Sequence, residues 1–183
     1  MGEIQRLRDE LGEGTMRFFI DSGLSLLPKK MDTTAARAML YAIAFQESNF
    51  IDRKQILDTE EPGSIRFGPA RSFWQFEPIG VRGVLYHFST KRLAEEVAKK
   101  LQLNNEAFIM EAIGWCDALA SAYARLNLWK LPDPLPGRWQ EDKGWDQYLR
   151  AWAPGKPNLA KWPASFKQGW KTAIEEKRNA RKI

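Results

Sequence analysis

An apolar stripe at helical spacing, Ala36, Met39, Leu40, Ile43 and Ala44, constrains this chain more than any other feature, and the next position on its face is Glu47. Residues at i, i+3, i+4, i+7 and i+8 share one side of an α-helix, so the stripe predicts a helix packed on a core. Asp32-Thr33-Thr34 offers a side-chain oxygen to the free first-turn amides, and the Ala-rich stretch that follows has high helix propensity. Ser48 and Asn49 then compete for backbone hydrogen bonds, which places Glu47 in the last turn. A carboxylate where the pattern asks for a core residue is either paired with a cation or used as an acid. With 28 Lys and Arg in the chain, a salt bridge is the first reading. The second is that burial and the negative end of the helix dipole keep Glu47 protonated near neutral pH, as a general acid requires.

Composition narrows the classes. A chain of 183 residues, 44% hydrophobic and 28% charged, fits one globular domain with its own core and excludes wholesale disorder. The single Cys116 excludes an internal disulfide, and with the single His87 it argues against a thiolate or imidazole zinc cluster, so no metal or cofactor is expected. Cys116 itself falls on an apolar helical face and is expected in the core. Residues 1–13 are charged and lack the roughly 7 to 15 residue apolar centre of a secretory signal, and no apolar run approaches the ~20 residues of a membrane span. The chain is therefore expected to be made in the cytoplasm without a signal peptide and without crossing a membrane. A net charge of +5 and a pI near 9.3 suit a polyanionic partner such as nucleic acid, anionic lipid or a bacterial envelope polymer. Lys171, Lys177, Arg178, Arg181 and Lys182 concentrate that charge at the C-terminus, but no nucleic-acid-binding signature accompanies them and no specific nucleic-acid partner is expected.

The expected fold class is mainly α, α+β at most. Ile4, Leu7 and Leu11 mark a first amphipathic segment that Gly12 and Gly14 are expected to interrupt before Phe18 to Leu27. Residues 51–86 carry Pro62, Gly63, Gly68, Pro69, Pro78, Gly80 and Gly83 as breakers, and read as a long functional loop or a small hairpin region, with short strands or a hairpin around Gly63 to Phe67. Thr90 opens a helix with Leu93, Val97 and Leu101. Asn104 or Asn105 is expected to cap the longest helix, with a face running from Phe108 through Ala112, Trp115 or Cys116, Leu119 and Tyr123 to Leu126. Leu131 to Gly137, with three prolines, reads as an extended connector. Two further helices carry Trp145, Tyr148, Leu149 and Trp152, then Trp162, Phe166 and Trp170. Residues 1–183 are read as one domain, with 130–183 a Pro- and Trp-rich helical extension packed on it.

A second informative string lies in the middle, Ser72-Phe73-Trp74-Gln75-Phe76-Glu77. Aromatic faces stack on sugar rings, and a carboxamide both donates to and accepts from hydroxyl and acetamide groups. Phe73 and Phe76 are expected in the core, and Trp74 and Gln75 are the groove candidates.

Glu47-Ser48-Asn49-Phe50 resembles the Glu-Ser-x-Phe motif of the soluble lytic transglycosylase and goose-type lysozyme group. Ser72-Phe73-Trp74-Gln75, with Gln75 28 positions after Glu47, resembles the Gly-Leu-Met-Gln motif that follows it, and Ala122-Tyr123-Ala124 is a fragment similar to the third motif, Ala-Tyr-Asn. Ser72 stands for the Gly, Phe73 and Trp74 for Leu and Met, and Ala124 for the Asn. The likeness spans roughly residues 33–125, and the string as a whole resembles phage tail or virion-associated wall hydrolases.

The resemblance implies a lysozyme-like helical domain that cleaves the MurNAc-GlcNAc β-1,4 bond of a peptidoglycan glycan strand, acting at the cell wall either as a released endolysin or within a bacteriophage particle. Glu47 would be the acid and then the base, giving a 1,6-anhydro product without a second carboxylate. Ser48, Trp74, Gln75, Tyr123 and Tyr148 are the expected substrate-binding residues. Two other readings stay open. One is a hydrolytic lysozyme in which Asp52, Asp58, Glu60, Glu61 or Glu77 supplies a second carboxylate. The other is a non-enzymatic virion scaffold that uses some of its eight Trp to bind another virion protein.

Overall fold

The computed structural model describes residues 3–57 and 64–180, and it is mainly helical. Eight α-helices are α1 (Glu3–Ser25), α2 (Thr34–Ser48), α3 (Pro78–Tyr86), α4 (Lys91–Lys100), α5 (Glu106–Ala112), α6 (Asp117–Trp129), α7 (Glu141–Trp152) and α8 (Trp162–Asn179). Between α2 and α3 lies one antiparallel hairpin, β1 (Lys54–Leu57) and β2 (Arg66–Arg71), in the register Lys54 opposite Arg71 and Ile56 opposite Phe67. The expected hairpin thus forms, with strands on either side of residues 58–63.

Helix α2 follows from its sequence at both ends. Thr33 rather than Asp32 is the cap, its hydroxyl accepting the Ala36 amide at 3.1 Å, while Asp32 holds Arg37. At the other end Asn49 adopts a left-handed conformation and closes the helix on the Ala44 and Phe45 carbonyls. Every residue from Ala38 to Ala44 is fully buried, so α2 is a central helix surrounded on all sides.

Its principal neighbour is α8, and the two run antiparallel, Gln46 meeting Ser165 at one end and Arg37 meeting Glu176 at the other. Between those ends Gly169 lets the backbones touch: a Cβ there would lie 2.4 Å from the Ala38 carbonyl oxygen and 2.7 Å from the Ala42 amide. A similar approach joins α1 to α6, where a Cβ on Gly23 would fall 2.4 Å from the Ser121 Cβ. One hydrophobic cluster runs from Ile20 on α1 to Ala173 on α8, so the Trp-rich C-terminal helices share the core rather than covering it from outside.

Four expectations are corrected. Gly12 and Gly14 do not interrupt α1, which is continuous, since a glycine weakens a helix by about 1 kcal/mol without ending it. Pro78, Gly80 and Gly83 are not loop breakers but belong to α3, because a proline at the first helical position lacks only an amide that has no partner there anyway. The longest expected helix is two, since Asn105 caps α5 and the chain turns through Ile113–Cys116 before α6. Cys116 is consequently half-buried at the α6 N-cap and not in the interior.

Gly169→Ala separates propensity from packing. Propensity alone would stabilise α8 by about 1 kcal/mol. The contact is with backbone atoms that cannot move aside, so the expected outcome is a loss of about 1–3 kcal/mol in urea unfolding. A gain in stability would contradict the α2–α8 contact.

Candidate active site

Glu47 lies in the last turn of α2, half-buried, and accepts a 2.7 Å hydrogen bond at Oε1 from the hydroxyl of Tyr148 on α7. Among the described residues no other side chain hydrogen-bonds this carboxyl, and none of the ion pairs includes it. The salt-bridge reading of Glu47 is therefore not what the fold builds. Burial raises its pKa, while the Tyr148 hydrogen bond and the charge of Lys161 pull it down and the charge of Glu77 adds to the rise. The carboxyl thus holds its proton to higher pH than a solvated glutamate.

Tyr148 is fixed by rings on several sides. It stacks on Trp162 of α8 with centroids 5.3 Å apart and planes 14° from parallel, and also meets Trp145 and Trp152 of its own helix. Trp145, Tyr148 and Trp152 stand at i, i+3 and i+7, one face of α7, which is why they form one layer. Burial and the neighbouring Glu47 push the phenol pKa up, so Tyr148 keeps its proton and donates a hydrogen bond to the carboxyl.

Residues 71–76 are a tight loop closed by paired Arg71 and Phe76 backbone bonds of 2.9 and 2.7 Å. It docks under the end of α2: the Ser48 hydroxyl donates to the Phe73 carbonyl at 2.8 Å, and the Trp74 indole donates to the Leu40 carbonyl at 3.0 Å. On its other side the Trp152 indole donates to the Trp74 carbonyl at 2.8 Å. The two strings singled out in the sequence are thus adjacent, held by hydrogen bonds rather than by a shared element.

Positive φ values gather here. Asn49, Phe50, Ser72, Gln75 and Ala153 are left-handed, and only Gln102 is so elsewhere among the described residues. For a bulky residue such as Phe50 this conformation costs of order 1–3 kcal/mol and persists only where packing enforces it, a pattern associated with functional sites. Phe50 is enforced by Phe73, with ring centroids 4.7 Å apart.

The expected substrate-binding residues divide. Tyr148 reaches Glu47. Gln75 is half-buried at the rim of the loop, but its Nε2 donates to the Asp52 and Ser72 carbonyls and so braces the loop. Ser48 is buried with its hydroxyl on backbone, so it joins the two strings and does not face a ligand. Trp74 is not in a groove: it is fully buried, because its indole N–H finds its acceptor inside α2. Tyr123 is likewise fully buried, between α6 and α4, its hydroxyl 3.5 Å from the Ala94 carbonyl. Of the candidate second carboxylates, Glu77 is the one whose charge bears on Glu47, Asp52 is exposed, and Asp58, Glu60 and Glu61 lie outside the described residues.

Sequence reasoning missed Lys161, whose Nζ donates to the Gln46 carbonyl at 2.8 Å, and the ring layer around Tyr148. The i, i+3, i+7 spacing of Trp145, Tyr148 and Trp152 carried the second. Nothing local carried the first, since Lys161 lies 115 positions from its acceptor. Among the described residues no three His, Cys, Asp or Glu side chains converge as a metal site requires, and no helix is long and apolar enough to cross a membrane. No family model, curated protein or solved structure matches the chain.

The raised pKa of Glu47 fixes the sign of a pH effect. A carboxyl that binds its proton more tightly folded than unfolded adds stability below the ordinary carboxylate range, and that contribution is lost as pH rises through the raised value. Glu47→Gln cannot ionise. Its stability relative to the unsubstituted protein should therefore improve steadily between about pH 4 and the folded pKa and then level off. Urea unfolding of both proteins across that range checks it, and a difference independent of pH would count against a proton-retaining Glu47.

Proposed function

We propose that the protein is a lysozyme-like muramidase of peptidoglycan with Glu47 as general acid and then base. The observation that carries this is Glu47 itself: a half-buried carboxyl at a helix end, held by one tyrosine hydroxyl and paired with no cation among the described residues. A carboxyl used only for structure is normally neutralised, and this chain does so elsewhere. Glu176 also meets a tyrosine, Tyr41, but Arg37 lies 3.2 Å from its other oxygen.

The docked loop supports the reading as well. Ser72 takes the left-handed conformation that glycine adopts at no steric cost, and it stands where the resembled motif has Gly. The loop lies against the helix that carries Glu47, which fits two motifs sharing one site. In the proposed reaction Glu47 gives its proton to the glycosidic oxygen as the C1–O bond breaks. The carboxylate then takes the proton of the muramyl C6 hydroxyl as its oxygen bonds C1, so the residue ends as it began. Tyr148 keeps Glu47 in place through both steps, and the basic surface suits an anionic wall. A released enzyme and a virion component are both compatible with this chemistry.

Hydrolysis is the second reading, favoured by one observation, that the charge of Glu77 reaches Glu47. A second carboxylate would then stabilise the oxocarbenium-like charge or activate water.

Mass spectrometry of the fragments that purified protein releases from cell walls tests both. A 1,6-anhydro product is expected, abolished in Glu47→Gln with the fold intact by circular dichroism. A hydrated product lost in Glu77→Gln would replace transglycosylation by hydrolysis. No release by the unsubstituted protein would end the enzymatic reading in favour of a scaffold.

A further inference from the structure

We propose that Lys161 is a positioning residue for Glu47, its ammonium anchored at the end of α2 so as to hold the carboxylate left when Glu47 gives up its proton. This rests on the reading of Glu47 as an acid that must then serve as a base. Such a residue needs two opposed conditions, an environment that keeps it protonated at rest and one that tolerates its charge after proton transfer. Desolvation meets the first and works against the second. A nearby cation meets the second, provided it does not form a direct ion pair that would ionise the carboxyl at rest.

Lys161 has that placement. It stands at the N-cap position of α8, and its Nζ donates to the Gln46 carbonyl, the residue before Glu47. Helix geometry would send the Phe50 amide to the Gln46 carbonyl, but that amide turns back to Ala44, which leaves the Gln46 oxygen for Lys161. The ammonium therefore sits at the negative end of the α2 dipole, where a cation is stabilised. Burial lowers the Lys161 pKa and the charge of Glu47 pulls it back up, while the Lys161 charge lowers the Glu47 pKa, and the two form no direct ion pair. The other groups that bear on Glu47 are Tyr148 from α7, a neutral donor, and Glu77 ahead of α3, an anion of opposite effect. Lys161 is the cation among them.

The dock itself does not depend on the ammonium. Gln46 also donates from Nε2 to the Asn158 carbonyl at 2.8 Å and accepts from the Ser165 hydroxyl at 3.1 Å, so α8 stays seated when Lys161 is shortened or neutralised.

The experiment is a side-chain carbon NMR titration of Glu47, its resonance assigned by loss in Glu47→Gln, in the unsubstituted protein, Lys161→Met and Lys161→Arg. Removing the cation is expected to raise the Glu47 midpoint by about one pH unit, the scale of an opposite charge a few ångströms away. Arginine should restore it. In wall digestion the alkaline limb of the pH profile should move up by the same amount in Lys161→Met while the maximal rate falls, whereas a merely damaged fold would lower the profile without moving it. An unmoved midpoint in Lys161→Met overturns the inference. The titration needs no substrate, so failure of the muramidase reading shows separately, as an unsubstituted protein that releases nothing.

Discussion

The backbone contact of α2 with α8 at Gly169 is the constraint on which the rest of the structure depends. Because Gly169 has no side chain, the Ala38 carbonyl and Ala42 amide come up against it, and the antiparallel pair is set close there. That closeness puts Lys161 and Trp162 at the same end as Glu47, and Glu176 at the same end as Arg37 and Tyr41. Trp162 stacks on Tyr148, so the position of α7 follows as well. A separation wider by one methyl would loosen these contacts together, because a close-packed interior passes a displacement on to its neighbours.

Helix α2 carries two tyrosine–carboxylate pairs toward its two ends, and their difference is instructive. At the first, Arg37 joins Asp21, Asp32 and Glu176, so each of those carboxylates meets a cation. A cleft of about 660 Å³ opens beside it, lined by Thr34, Trp170 and Lys177 among others. At the second, Glu47 has a tyrosine and no ion-pair partner among the described residues. Burial raises the pKa of both carboxyls. The group beside the loop is thus the one without an ion pair among the described residues.

Strained backbone gathers at the same end of α2. Phe50, Ser72 and Gln75 hold left-handed backbone within or beside the contact between the α2 end and the 71–76 loop. The Ser48–Phe73 and Trp74–Leu40 hydrogen bonds, with the stacking of Phe50 on Phe73, are what hold them there. The loop is thereby fixed against the end of the helix that carries Glu47.

Periodicity in the sequence determined the mainly helical class, α2 with Glu47 in its last turn, the connector before α7 and the ring stripes of α7 and α8, because these depend on neighbours three or four residues apart. The same local rules misjudged Gly12, Gly14, Pro78 and the break at Ile113–Cys116, where packing and helix position outweigh intrinsic preference. Trp74 and Tyr123 looked like groove residues because composition cannot tell a ring on a surface from one in a core. Only the tertiary structure decided that they are buried, that Tyr148 and not an arginine meets Glu47, and that Lys161 caps the helix end beside it. The Tyr148–Glu47 and Lys161–Gln46 contacts join residues 101 and 115 positions apart, and a long-range contact of this kind is selected by how whole helices pack, which no local pattern encodes.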